Sequence, residues 1–181
     1  MSRKVLIGFL GLGAVLFLGA YFASPMLAVR GLIDAARTGD EVRLERLVDF
    51  PAFRDSLKDE LNARLRAEMR AELGGRDSPL GGLGMMLAPA LIGGAVDALV
   101  TAPAIASMVR TAEAPDPLDR SRPASPDGDD ADIRQSYGYR GLNTFALTLT
   151  DPDHPEAALD LLLERRGLFG WRLAGVDLPE A

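Results

Sequence analysis

Apolar positions along this chain follow four patterns, and each predicts a different kind of element. The first is an unbroken run from Val5 to Phe22, eighteen residues without a charge. As a helix it would extend about 27 Å, close to the hydrocarbon thickness of a bilayer. Arg3 and Lys4 precede the run and little charge follows it, which orients the N-terminus toward the cytoplasm and the remainder outward. A cleaved signal peptide is the competing reading, but such peptides have apolar cores of about 7–15 residues and small residues ahead of the cut. Here the run is longer, and cutting after Ala20 puts Leu18 where a small residue is preferred. A buried soluble helix fits poorly, because the run has no polar spacing. The pattern predicts a retained anchor over residues 1–23 and an extracytoplasmic domain over 24–181.

Helical spacing is the second pattern. Ser24-Pro25 reads as a helix start, with Ser at the cap and Pro in the first turn. Leu27, Val29, Leu32 and Ile33 give that helix an apolar face, and Gly39 closes it. Asp40 caps a short helix bearing Val42, Leu44, Leu47 and Val48, and Asp49-Phe50-Pro51 restarts the chain. From Phe53 the apolar residues recur every four positions, at Leu57, Leu61, Leu65, Met69 and Leu73, with charges between them. This is a surface helix of roughly six turns, ended by Gly74-Gly75. Its four-residue spacing drifts away from the seam a coiled coil needs.

The third pattern is "MMLAPALIGGAVDALV", Met85 to Val100, with one charge in sixteen positions. A second membrane span would need about twenty continuous apolar residues. Pro79, Pro89 and Pro103 cut the window, so the best continuous helix, Pro89 to Thr101, reaches only about 20 Å. Asp97 would cost roughly 2.5–3.5 kcal/mol near a bilayer centre. The stretch therefore predicts a core helix, apolar all round and buried between the amphipathic helix and the C-terminal elements.

Strand alternation is the fourth. Phe145, Leu147 and Leu149 alternate with smaller polar residues, "DPDHPE" turns the chain, and Leu159, Leu161 and Leu163 alternate again. "RRGLFG" makes a second turn before Trp171 and Leu173. Beyond Leu173 the parity slips to Val176 and Leu178, which predicts a bulge near Gly175, and Pro179 ends the strand. Ile133–Tyr139 is a candidate strand ahead of these. Between them and the helices, residues 112–132 carry four prolines and a run of acids, the composition of a mobile loop. The fold class expected is α+β: a transmembrane helix, then several helices packed on a three- or four-stranded antiparallel meander.

Composition narrows the chemistry. The net charge of −6 argues against nucleic acid as a partner. The absence of cysteine excludes disulfides, thiolate catalysis and cysteine-ligated zinc. Lysine occurs only at Lys4 and Lys58 among many arginines, a usage associated with GC-rich bacterial genomes. With the anchor, that places the protein in a bacterial inner membrane, single-pass, its domain periplasmic.

Candidate catalytic, cofactor and metal motifs all fail on inspection. His154 is the only histidine and shares a proline-bounded turn with its acidic neighbours, so no distant His or Cys completes a metal site. "DGDDAD", Asp127 to Asp132, has the acid density of a calcium loop, but Asp132 stands where the turn glycine belongs and Gly138 where the bidentate Glu belongs. Gly81, Gly82 and Gly84 have no preceding strand to make a phosphate-cradling loop, and no nucleophile motif is present. What remains is Asp97, a carboxylate among apolar residues that needs a partner or neutralises. Arg54 and Arg165 are the candidate partners. A register-fixing buried ion pair outweighs a catalytic acid, and Trp171 is expected in the core. No catalytic residue, cofactor or metal is expected.

"SPMLAVRGLIDAARTGDEVRLERLVDFPAFRDSLKDEL", together with "VDALVTAP" and "RRGLFGWRLAGVDLP", resembles the uncharacterised bacterial family DUF2939 over nearly the whole chain after the anchor. The order of helices and then sheet is also similar to the NTF2-like, or cystatin-like, α+β cone, a looser analogy from which function does not follow. The expectation is a non-enzymatic, membrane-anchored domain that binds a partner protein or an apolar ligand, in a pocket lined by Gly93, Gly94 and Ala95. The alternatives are an enzyme using Asp97 in that pocket and a two-span scaffold.

Overall fold

Helix α1 (Arg3–Thr38) runs for 36 residues, and Pro25 lies inside it rather than at a start. This corrects the reading of Ser24-Pro25 as a cap. Proline removes the N–H that would bond the carbonyl four residues back, here Tyr21. The Ser24 hydroxyl supplies the missing donor, giving its hydrogen to the Tyr21 carbonyl at 2.8 Å. The carbonyl of Phe22, one residue on, accepts from the Tyr139 hydroxyl at 2.9 Å. With the Tyr21 carbonyl satisfied, the helix continues through the proline.

The computed structural model describes residues 3–73, 90–111, 133–152 and 154–178. The two halves of α1 differ in what surrounds them. Ile7, Phe9, Leu10, Leu12, Val15 and Leu16 are exposed, whereas Val29, Leu32, Ala35 and Ala36 are almost wholly buried. Gly39 ends the helix at φ 64°. Its N–H bonds Ala36 and that of Asp40 bonds Ala35, so the left-handed residue satisfies two terminal carbonyls. Asp40 then caps α2 (Glu41–Leu47) by accepting from the Arg43 N–H. Asp49 does the same for α3 (Phe50–Leu73), accepting from Ala52.

The leucine stripe of α3 meets the core only at its start. Phe53 and Leu57 are buried, and Leu61 and Leu65 half-buried. Helix α4 (Ala90–Leu99) and helix α5 (Ala102–Thr111) meet at 88°. Thr101 makes the corner, its carbonyl accepting from Ile105 and its hydroxyl from Ala104. Met85–Pro89 lie outside the described residues. The rest of that stretch is not buried all round, contrary to expectation. Ile92, Val96 and Val100 form one buried ridge, while Leu91 is 72% and Leu99 41% exposed. The core is closed instead by α5, whose Ile105, Met108 and Val109 pack beside the second half of α1.

Strands β1 (Arg134–Tyr139), β2 (Thr144–Asp151), β3 (His154–Arg166) and β4 (Gly170–Asp177) form one antiparallel meander in sequence order. The fold is thus α+β with four strands. Leu162 pairs Gly175 and Leu163 pairs Leu173, so Ala174 is the extra residue of a bulge where the parity slip predicted one. After it, Val176 and Leu178 again face inward and are buried. Helix α3 lies along β4. The Ser56 hydroxyl gives its hydrogen to the Val176 carbonyl at 3.2 Å and accepts from the Val176 N–H at 3.0 Å, which covers part of an open sheet edge. Residues 112–132 lie outside the described residues.

Candidate functional site

The place where α1 enters the domain concentrates most of the aromatic and cationic contacts. Trp171, on the inner face of β4 and 4% exposed, donates its indole N–H to Ser24 Oγ at 2.8 Å. Ser24 therefore has two roles: it replaces the proline's missing donor and accepts from the sheet. Tyr139 and Phe145 pack edge-on around the same indole.

Arg165 sits between rings. Its guanidinium carbon lies 3.9 Å from the Tyr21 ring centre and 4.2 Å from that of Trp171. This is a cation–π sandwich linking α1 to β4. One terminal nitrogen donates to the Leu168 carbonyl at 2.7 Å and the other to the Leu142 carbonyl at 3.4 Å. Arg165 thus ties together the β1–β2 and β3–β4 turns, and among the described residues no carboxylate pairs with it.

Arg165 and Trp171 are brought together, but Asp97 and Arg54 do not join them. Asp97 pairs with Lys58 at 2.7 Å, and its side chain is 57% exposed. The expected buried pair with Arg54 or Arg165 is corrected accordingly. The half-buried helix turns Asp97 outward, and Lys58 on α3 is the cation in reach. Arg54 donates instead to the Val100 carbonyl at 2.9 Å, at the C-terminal end of α4, where the helix dipole favours a cation. Residues one turn apart on α3 therefore clip the end of α4.

Two open cavities lie near the helix exit. A groove of about 540 Å³ runs along α1 between Ala20, Ala23, Leu27, Leu47, Phe169 and Trp171. A polar notch of about 480 Å³ lies between Asn143, Thr144 and Glu164–Gly167. Neither of these two touches Asp97, Gly93, Gly94 or Ala95. Among the described residues no cluster of His, Asp and Glu is arranged to hold a metal ion.

One charge pair beside this site is electrostatically tuned. Arg166 donates to Asp49 and to Glu164, each at 2.8 Å. The hydrogen bond from Arg166 lowers the Asp49 carboxyl below its ordinary value, and Asp49 and Glu164 in turn raise Arg166. The pair joins the cap of α3 to the end of β3. Burial pushes the Glu60 carboxyl up.

Pattern reading missed Ser24, Tyr21, Tyr139 and Lys58. Tyr21, at the end of an apolar run, carries the signature of an interfacial residue. The partners of the other three are set by long-range packing, with no local mark.

The class defined by these features is an α+β domain continuous with a helix that is long and apolar enough to cross a membrane. Within it, the chain belongs to the DUF2939 family of proteins of unknown function, whose pattern matches residues 14–108. That segment begins inside α1 and ends inside α5, so it leaves out the C-terminal stretch that shares the resemblance. No curated protein and no solved structure matches the chain.

Proposed function

We propose that this protein is a single-pass bacterial inner-membrane protein. Its N-terminus is cytoplasmic, Val5–Phe22 is the span, and a periplasmic domain binds an apolar ligand in the groove beside the helix exit. The observation that carries the reading is the division of α1. From Ile7 to Phe22 the side chains it exposes are apolar or small, and its second half belongs to the domain core. Exposed apolar surface of that extent is favourable in lipid and costly in water. Helices α4 and α5 have ten residues each, about 15 Å, and meet at 88°, which supports one span rather than two. The groove is walled by alkyl and aromatic groups and opens at the span, so an acyl chain reaches it without crossing water.

Reporter fusions after Ala181 test the topology. Activity from a periplasm-active reporter is expected, and activity only from a cytoplasm-active one overturns the single span. Lipid extraction from the purified full chain tests the groove: wild type should retain an apolar ligand that Ala23→Trp, which fills the groove, does not. Equal ligand content in both would remove the binding role.

A further inference from the structure

The two hairpin turns of the sheet that face α1 are capped by side chains unsuited to water. Leu142, in the β1–β2 turn, is 79% exposed, and Leu168 and Phe169, in the β3–β4 turn, are 61% and 44% exposed. The pairing of Thr144 with Glu164, and the bond from the Arg165 N–H to the Asn143 carbonyl, put both turns at the same end of the sheet. Arg165 fixes them as a unit through the carbonyls of Leu142 and Leu168.

Their height along the helix is set by one contact. Phe169 packs edge-on against Phe17, with ring centres 5.5 Å apart. Phe17 lies five residues before Phe22, so its level is about 7.5 Å inside the end of the apolar run. The run itself is about as long as the hydrocarbon core. A side chain at the level of Phe17 therefore lies inside the hydrocarbon, about 7.5 Å from its edge, when the run is in the bilayer. Tyr21, Trp171 and Arg165 form the next layer out, the residue types that settle among headgroups. Among the described residues Arg165 has no carboxylate, and lipid phosphate is the anion available at that depth.

From this geometry we infer that the β1–β2 and β3–β4 turns are a second membrane contact. Leu142, Leu168 and Phe169 enter the outer leaflet beside the span, and Arg165 lies at the phosphate level. The inference rests on the anchor reading. The occupant is the phospholipid bilayer: the apolar tips are continuous with the apolar surface of α1, and the cation lies where the headgroups would be. A domain held by a span and by two turns cannot tilt freely against the membrane. Its groove then keeps a fixed opening at the leaflet.

The absence of cysteine allows a direct test. The purified full chain is reconstituted in phosphatidylglycerol–phosphatidylethanolamine vesicles at high lipid excess. Nitroxide labels are attached singly to Leu142→Cys, Leu168→Cys, Leu12→Cys in the span, and Val42→Cys, an exposed residue on α2. Collisions with oxygen, which concentrates in lipid, are compared with collisions with a water-soluble nickel complex. Labels at 12, 142 and 168 should favour oxygen, deepest at 12, and the label at 42 should favour nickel. Aqueous readings at 142 and 168 with a lipid reading at 12 overturn the inference and leave the anchor standing. An aqueous reading at 12 removes the anchor and the inference together. Protection at 142 and 168 that disappears as lipid excess is raised assigns the turns to a second copy of the chain, and also overturns it.

Discussion

Trp171 donates its indole N–H to the hydroxyl of Ser24 across 147 residues of sequence, and Ser24 in turn donates to the carbonyl that Pro25 leaves open. The sheet thereby holds the helix at its weakest point. A buried donor left without an acceptor costs more than a hydrogen bond is worth net. Ser24→Ala should destabilise the domain by about 1–3 kcal/mol, since it strands both the indole N–H and the Tyr21 carbonyl. Trp171 is the only tryptophan, so its emission during denaturation of the full chain in mild detergent reads the effect directly. Unchanged stability would mean that the junction admits water.

Asp97→Ala should be nearly neutral, within about 0–1 kcal/mol, because its pair with Lys58 is solvent-exposed. A buried pair broken on one side would cost about 3–5 kcal/mol. The same denaturation measurement distinguishes the two, and a loss of the larger size would place Asp97 in an interior that its exposure excludes.

Asp49 links stability to acid. Its folded carboxyl titrates below the ordinary value of 3.8, because Arg166 favours the charged form. The stabilisation is therefore complete above that value and is lost as pH falls through the lower folded one. Asp49→Asn keeps a capping side chain but gives up the charge, at a cost of about 1 kcal/mol at neutral pH. The gap between wild type and variant should close as pH falls below 3.8. Glu60, raised by burial, shifts both proteins alike and drops out of the comparison. A gap that persists at low pH would show that the pair is not what Asp49 contributes.

Gly175 is needed for lack of space. A Cβ there would meet Ser56 Oγ at 2.9 Å and Leu162 Cβ at 3.6 Å. Gly175→Ala should displace the hydroxyl that covers the Val176 edge and cost about 1–3 kcal/mol. Ser56→Ala, by contrast, keeps the packing and loses only the two hydrogen bonds. If Gly175→Ala has no greater effect than Ser56→Ala, steric crowding is not the cause.

Elements with a local cause were legible from the residues alone. The apolar run, the Gly39 and Asp40 helix boundary, the alternating strands and the bulge near Gly175 each depend on neighbours within a few positions. A period, a cap or a parity slip is enough to encode them. Three things were decided only by tertiary structure. Pro25 marks a helix start in local terms, and it became a helix interior because Ser24, itself held by Trp171 147 residues away, satisfied the freed Tyr21 carbonyl. The Met85–Val100 stretch is apolar enough to be buried all round, yet the bend at Thr101 brought α5 into the core and left one face of α4 outside. Asp97 follows from that: its helix turned it toward Lys58, while Arg165 was taken by two aromatic rings and two turn carbonyls. The identity of a charge's partner is a long-range quantity, and composition records only that a partner is needed.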